Sequence, residues 1–272
     1  MEATSGGRTL GGASRPPVAA ERAAEVWWFD VREVTIAAED LADLDVRETA
    51  RATAFVFPAD RHRYQVAHVM LRRVLAGHVG AEPGSLAFAR EPCPTCGGPA
   101  GRPVLAGPPA DGLSFSLAHS GDAVAIAVAG QPVGVDVERD PAGCVCSLAT
   151  AMHPSDAALV AALPEPARHA AVIRWWVRVE AVLKCAGTGI GHGMDAFPVL
   201  GGPARTEISP GSGLAWEPRA AGWASAAGRV FAPLSAPKGY QAAIALPGLR
   251  LIRYRWGSAR APAPPPHPHT RR

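Results

Sequence analysis

Two acidic residues two positions apart, inside an otherwise apolar run, constrain this chain more than any other feature. The run is Gly134-Val135-Asp136-Val137-Glu138. Side chains alternate across a strand, so Asp136 and Glu138 share one face while Val135 and Val137 pack on the other. Neighbouring carboxylates repel unless a cation or a shared proton lies between them. Paired hard oxygen donors suit Mg²⁺, which takes one or two carboxylates and completes its shell with substrate phosphates. On either side stand Ala118-His119-Ser120-Gly121 and a helical stretch with Glu180 and Lys184.

The chain has 272 residues, enough for one large domain or two smaller ones with a real core. It has no apolar run long enough to span a membrane and no apolar leader of the secretory kind, so no membrane partner is expected. A net charge of +3 fits an anionic small molecule or an acidic protein partner and does not call for nucleic acid. Five cysteines, an odd number, without a secretion signal suit reduced thiols in a cytoplasm.

Residues 1–24 read as a disordered leader and 258–272 as a Pro-rich disordered tail. Val26 to Phe29 opens the folded part as a strand, and residues 40–54 read as a helix. Asp60 is placed to cap a helix over 61–79, which carries Arg61, His62 and Arg63 at its start and Arg72 and Arg73 near its end. Those arginines make either a solvated basic face or a phosphate clamp. Cys93-Pro94-Thr95-Cys96-Gly97-Gly98 has the spacing of half a zinc site, and Arg102 follows in a turn. Strands are expected at 113–117, 123–128 and 134–138, and helices over 154–163 and 166–186, the last stopped by Gly187. Glu180 and Lys184, four apart, share a helix face with Trp176. Further strands and turns are expected at 197–199, 222–223, 230–231 and 239–245.

Three of these stretches occur in an order and spacing that resembles the larger, single-chain 4′-phosphopantetheinyl transferases. They are Phe115 to Gly121, Gly134 to Glu138, and Trp176-Val177-Arg178-Val179-Glu180-Ala181-Val182-Leu183-Lys184 with Gly187 and Gly189. The resemblance covers roughly residues 26–247. It implies an α+β fold of two similar α/β halves, 25–133 and 134–250, packed as a pseudo-dimer within a monomer. It implies transfer of the phosphopantetheine arm from coenzyme A to a serine of an acyl or peptidyl carrier protein, with release of 3′,5′-ADP. Fatty-acid, polyketide and non-ribosomal peptide synthesis all supply such carriers. By resemblance Asp136, Glu138 and Glu180 hold Mg²⁺, and Glu180 is also the general base. Lys184 offsets charge on the pyrophosphate. His119 and Arg102 contact coenzyme A phosphates, with Arg61 and Arg63 as further candidates.

Two positions depart from the family pattern. Ala118 stands where the family has serine, which implies one hydroxyl fewer near the coenzyme. Val179 stands where it has lysine, which implies a missing cation that Val179→Lys would restore. Two other readings follow from these and from the cysteines: a non-catalytic relative that binds coenzyme A or carrier proteins, and a zinc-containing nucleic-acid-binding protein.

Overall fold

A computed structural model describes residues 23–107, 112–140, 146–189, 193–201, 230–248 and 251–256. The expected tail, most of the expected leader and the strand expected at 222–223 lie outside them.

Strand β1 (Ala23–Asp30) takes in the last two residues of the expected leader. The helix expected over 40–54 is divided. A 3₁₀ turn (Glu39–Asp43) comes first, and α1 (Val46–Thr53) starts afresh at Asp45. The Asp45 carboxylate accepts from the Arg47 and Glu48 amides, and Glu48 reaches back to the Asp45 amide, a capping box that fixes the new start.

Helix α2 (Pro58–Val79) begins before Asp60, with Pro58 in its first turn. Asp60 therefore does not cap it and instead pairs with Arg63 at 2.7 Å. Arg72 is neither on a solvated face nor in a phosphate clamp. It is fully buried, bonded to Glu48 and Asp45 and to the carbonyls of Pro83 and Leu86. Arg73 is likewise engaged, by Asp40 and Asp43.

Strands β2 (Ala87–Arg90) and β3 (Pro103–Ala106) form a hairpin-like pair. They are followed by β4 (Ser114–Ser120), β5 (Ala123–Ala129) and β6 (Gly134–Arg139). Next come helices α3 (Cys146–Ala149), α4 (Pro154–Ala161) and α5 (Glu165–Ala186), then β7 (Val230–Pro233), β8 (Tyr240–Leu246) and β9 (Leu251–Trp256). Both long helices, α2 and α5, end on a left-handed glycine, Gly80 and Gly187. Residues 197–199 form no strand, because the amides of Val199 and Leu200 are taken by the buried Asp156 carboxylate of α4.

The strands form a four-stranded sheet in the order β4-β5-β1-β9 and a three-stranded sheet in the order β6-β8-β7, with β2-β3 apart. Strand alternation sorts the apolar residues into layers. Val26 and Trp28 of β1, the alanines of β5, and Val135, Val137, Ala242 and Ile244 fill the space between the two sheets. Trp27, Phe29, Val124 and Ile126 point the other way, onto Val66, Val69, Met70 and Leu75 of α2. Ala243 and Ala245 pack on Val179, Val182 and Leu183 of α5. The result is a mixed α+β fold with layers helix, sheet, sheet, helix.

The sheets also meet along one edge. The free edge of β6 would leave amides unpaired. The Ser116 hydroxyl accepts from the Val135 amide at 3.0 Å, and the Ser120 hydroxyl accepts from the Arg139 amide at 3.1 Å. Strand β9 was not foreseen. It runs parallel to β1 and ties residues 251–256 back to the first sheet.

Candidate active site

Asp136 and Glu138 lie opposite Ala243 and Gln241 of β8. Val135 and Val137 face the inter-sheet core, so both carboxylates face α5. That face of α5 carries Glu180 and Lys184, one turn apart. Lys184 Nζ donates to Asp136 Oδ1 at 2.6 Å and to the Val135 carbonyl at 3.3 Å. Asp136 is 4% exposed, and its Oδ2 has no hydrogen-bond partner. Burial, opposed by Lys184 and reinforced by Glu180 and Glu138, pushes its carboxyl up to about 7. Glu180 is also raised, by burial and then by Glu138, against the pull of Lys184. Glu138 accepts from the Ser120 hydroxyl at 2.6 Å.

Among the described residues no three His, Cys, Asp or Glu side chains form a ready-made metal cage. That removes the second half a zinc ribbon would need from the described part of the chain. The carboxylates nevertheless fit Mg²⁺: a buried oxygen of Asp136 lacks a partner, two more carboxylates lie within electrostatic reach, and phosphate and water supply the remaining ligands of such a site.

The raised Asp136 carboxyl makes the metal-free protein pH-sensitive. A carboxyl raised on folding stabilises below its unfolded value near 3.8, and that stability is lost as pH rises through about 7. In chelator, the stability difference between the native protein and Asp136→Asn should shrink or invert by about 3 kcal/mol between pH 4 and pH 7, read from urea titrations.

His119, next to the last residue of β4, is exposed. The protein packed around it, then His68, Arg63 and Lys184, hold it below the usual imidazole range. Arg63 Nε donates to the Gly121 carbonyl, beside the Asp122 amide that donates to Tyr240 Oη at 2.8 Å. The turn after His119 is therefore held by helix α2 on one side and by β8 of the second sheet on the other. Arg102 donates to the Cys185 carbonyl at 3.0 Å and to Glu91 at 2.6 Å, which brings it to the end of α5. A cavity of about 790 Å³ is lined by Arg102 and Lys184, with Tyr64, His68, Ser116 and Gly187. Arg61 stands apart, exposed and bonded to the Phe55 carbonyl at 3.0 Å.

The two departures from the family pattern have structural consequences other than those expected. Ala118 is 5% exposed and faces the inter-sheet core, on the same row as Ser116 and Ser120 and opposite to His119. A hydroxyl there would point at β6. Val179 is fully buried among the residues packed on α5, so it is not a vacant cation position. Val179→Lys should destabilise the protein by about 2 kcal/mol, with the long stem limiting the penalty by reaching outward. A lowered melting temperature and no gain in activity are the expected readings. Arg178, adjacent in sequence, is occupied structurally: it donates to the Val199 carbonyl at 2.8 Å and covers the Phe231 ring.

Ser116, Ser120 and Glu91 escaped sequence reasoning. The serines had a visible signal, small hydroxyl residues at alternate positions of one strand, which marks a face approached closely by other backbone. Glu91 had none.

The profile of the 4′-phosphopantetheinyl transferase superfamily matches residues 132–233. The 4′-phosphopantetheinyl transferase HetI of Nostoc sp. is 33% identical over 170 residues, which cover 61% of this chain and 69% of that protein. A 4′-phosphopantetheinyl transferase of Bacillus subtilis is 22% identical, over 58% of this chain and 67% of its own length. A phosphopantetheinyl transferase of Thraustochytrium sp. is 29% identical, over 57% and 56%. The match takes in both carboxylate strand and carboxylate helix, and this chain belongs to the 4′-phosphopantetheinyl transferase superfamily.

Proposed function

We propose that the protein transfers 4′-phosphopantetheine from coenzyme A to a serine hydroxyl of an acyl or peptidyl carrier protein, with Mg²⁺ as cofactor. The observation that carries this reading is the meeting of Asp136, Glu138, Glu180 and Lys184 beside a cavity that also reaches Arg102. Asp136, Glu138 and Glu180 hold the metal, which when bound neutralises pyrophosphate charge and makes the phosphorus easier to attack. Glu180, held at a raised proton affinity, takes the proton of the carrier serine. Lys184 turns from Asp136 to the phosphoryl oxygens and leaving group. His119, Arg63 and Arg102 hold coenzyme A phosphates, and Arg61 serves as an outer guide for the same anion.

In this reading residues 25–133 and 134–250 are the two halves, one chain suffices for the site, and the protein works in the cytoplasm. No helix among the described residues is long and apolar enough to cross a membrane. The burial of Ala118 and Val179 supports this reading over that of a non-catalytic relative that binds coenzyme A or carrier proteins. The test is the intact mass of a purified apo carrier protein incubated with this protein, coenzyme A and Mg²⁺. One added phosphopantetheine, abolished by chelator, is the expected result. Unchanged mass across fatty-acid, polyketide and peptide carriers would overturn the reading.

A further inference from the structure

The transferase reading makes no use of Cys93 and Cys96. Cys93 is 3% exposed, Cys96 is open to solvent, and neither is bonded in a disulfide. They sit in a closed turn: the Cys93 amide donates to the Gly98 carbonyl at 2.7 Å and the Gly97 amide to the Cys93 carbonyl at 2.8 Å. The closed turn holds the two cysteines together, and the Cys96 and Thr95 amides hold the Cys93 thiol below its ordinary range. No third metal-ligating side chain joins them among the described residues. Pro94, between the cysteines, packs beside Gly187 at the end of α5, where Arg102 also approaches.

We propose that Cys93 and Cys96 form a dithiol site that exchanges with small disulfides. The exposed Cys96, as its thiolate, attacks one sulfur of a disulfide RSSR. The S–S bond breaks and one RS⁻ leaves, taking up a proton as RSH. The mixed disulfide at Cys96 is then attacked by the Cys93 sulfur. A Cys93–Cys96 bond forms and the second RSH is released, so two protein thiols have been oxidised and one RSSR reduced. The amides at 96 and 95 favour Cys93 as thiolate, and the backbone-closed turn that joins the two cysteines keeps it near Cys96 for the second step. Two thiols rather than one make the modification self-resolving and reversible.

The site is separate from the carboxylate cluster and does not depend on the transferase reading. The test is incubation of the full chain with graded ratios of oxidised to reduced glutathione, followed by acid quench, alkylation and peptide mapping. The native protein should lose the two thiol hydrogens in a Cys93–Cys96 linkage and keep almost no glutathione. Cys93→Ser should trap glutathione on Cys96, with adduct occupancy about tenfold or more above the native protein. Cys96→Ser should leave Cys93 unmodified, because it is buried. A stable adduct on native Cys96, or no Cys93–Cys96 linkage at any ratio, overturns the proposal. Stoichiometric zinc in the purified protein, with both thiols silent until it is chelated, overturns it as well.

Discussion

Replacing Glu180 with glutamine should lower carrier modification by between about a hundred- and ten-thousand-fold while leaving the melting temperature within a few degrees of the native value. The substitution keeps the shape and one carbonyl oxygen. It removes both the proton-accepting charge and a hard anionic donor. Glu180 is half-buried on α5, where burial and Glu138 already raise its carboxyl, so the neutral amide is no heavier a load on the fold than the charge it replaces. Repulsion with Glu138 is relieved, and the change should if anything stabilise the metal-free protein. The measurement is the initial rate of carrier mass gain at saturating coenzyme A and Mg²⁺, beside calorimetry in chelator. A variant with near-native rate would remove Glu180 from the chemistry and leave Asp136 and Glu138 as the only acidic candidates on β6.

Gly134→Ala is the strongest expected structural lesion. A methyl group at 134 would lie within the van der Waals shell of the Ala181 carbonyl and 2.5 Å from the Cys185 amide nitrogen. Both are backbone atoms of α5, so no rotamer change relieves the clash, and helix and strand must separate. Overpacking against side chains costs about 1–3 kcal/mol, and an unyielding backbone puts this case at about 3–5 kcal/mol, or roughly 6–15 °C in melting temperature. The same separation would pull Glu180 and Lys184 away from Asp136, so activity should fall together with stability. Gly77 in α2 provides the control. A methyl there meets nothing within 4 Å, and Gly77→Ala should stabilise by about 1 kcal/mol. Equal effects at the two positions would show that close packing of α5 on β6 is not what requires Gly134.

These two residues also show what could be read from the sequence. Strand alternation placed Asp136 and Glu138 on one face, and helical spacing placed Glu180 with Lys184. The observed contact of Lys184 with Asp136 joins the two patterns. Local periodicity carries such information because side-chain direction follows from backbone geometry alone. Directions across elements were not available in that way. Ala118 and Val179 depart from the family pattern one residue at a time, but which way they point depends on the neighbouring sheet and helix. The split between the 3₁₀ turn and α1 could have been read from Asp45 and Glu48, whose spacing is that of a capping box. The burial of Arg72 could not, since its carboxylate partners lie more than twenty positions away. Nor could β9, whose pairing with β1 joins distant parts of the chain.

That last pairing bears on how the protein is made. Ala23 lies beside Leu251, so the first sheet acquires its outer strand only after almost everything between has been translated. Until then β1, with Trp27 and Trp28, forms a long apolar edge open to any passing chain. During synthesis the nascent chain has its greatest need of a chaperone at this edge, until β9 pairs with β1 and seals it.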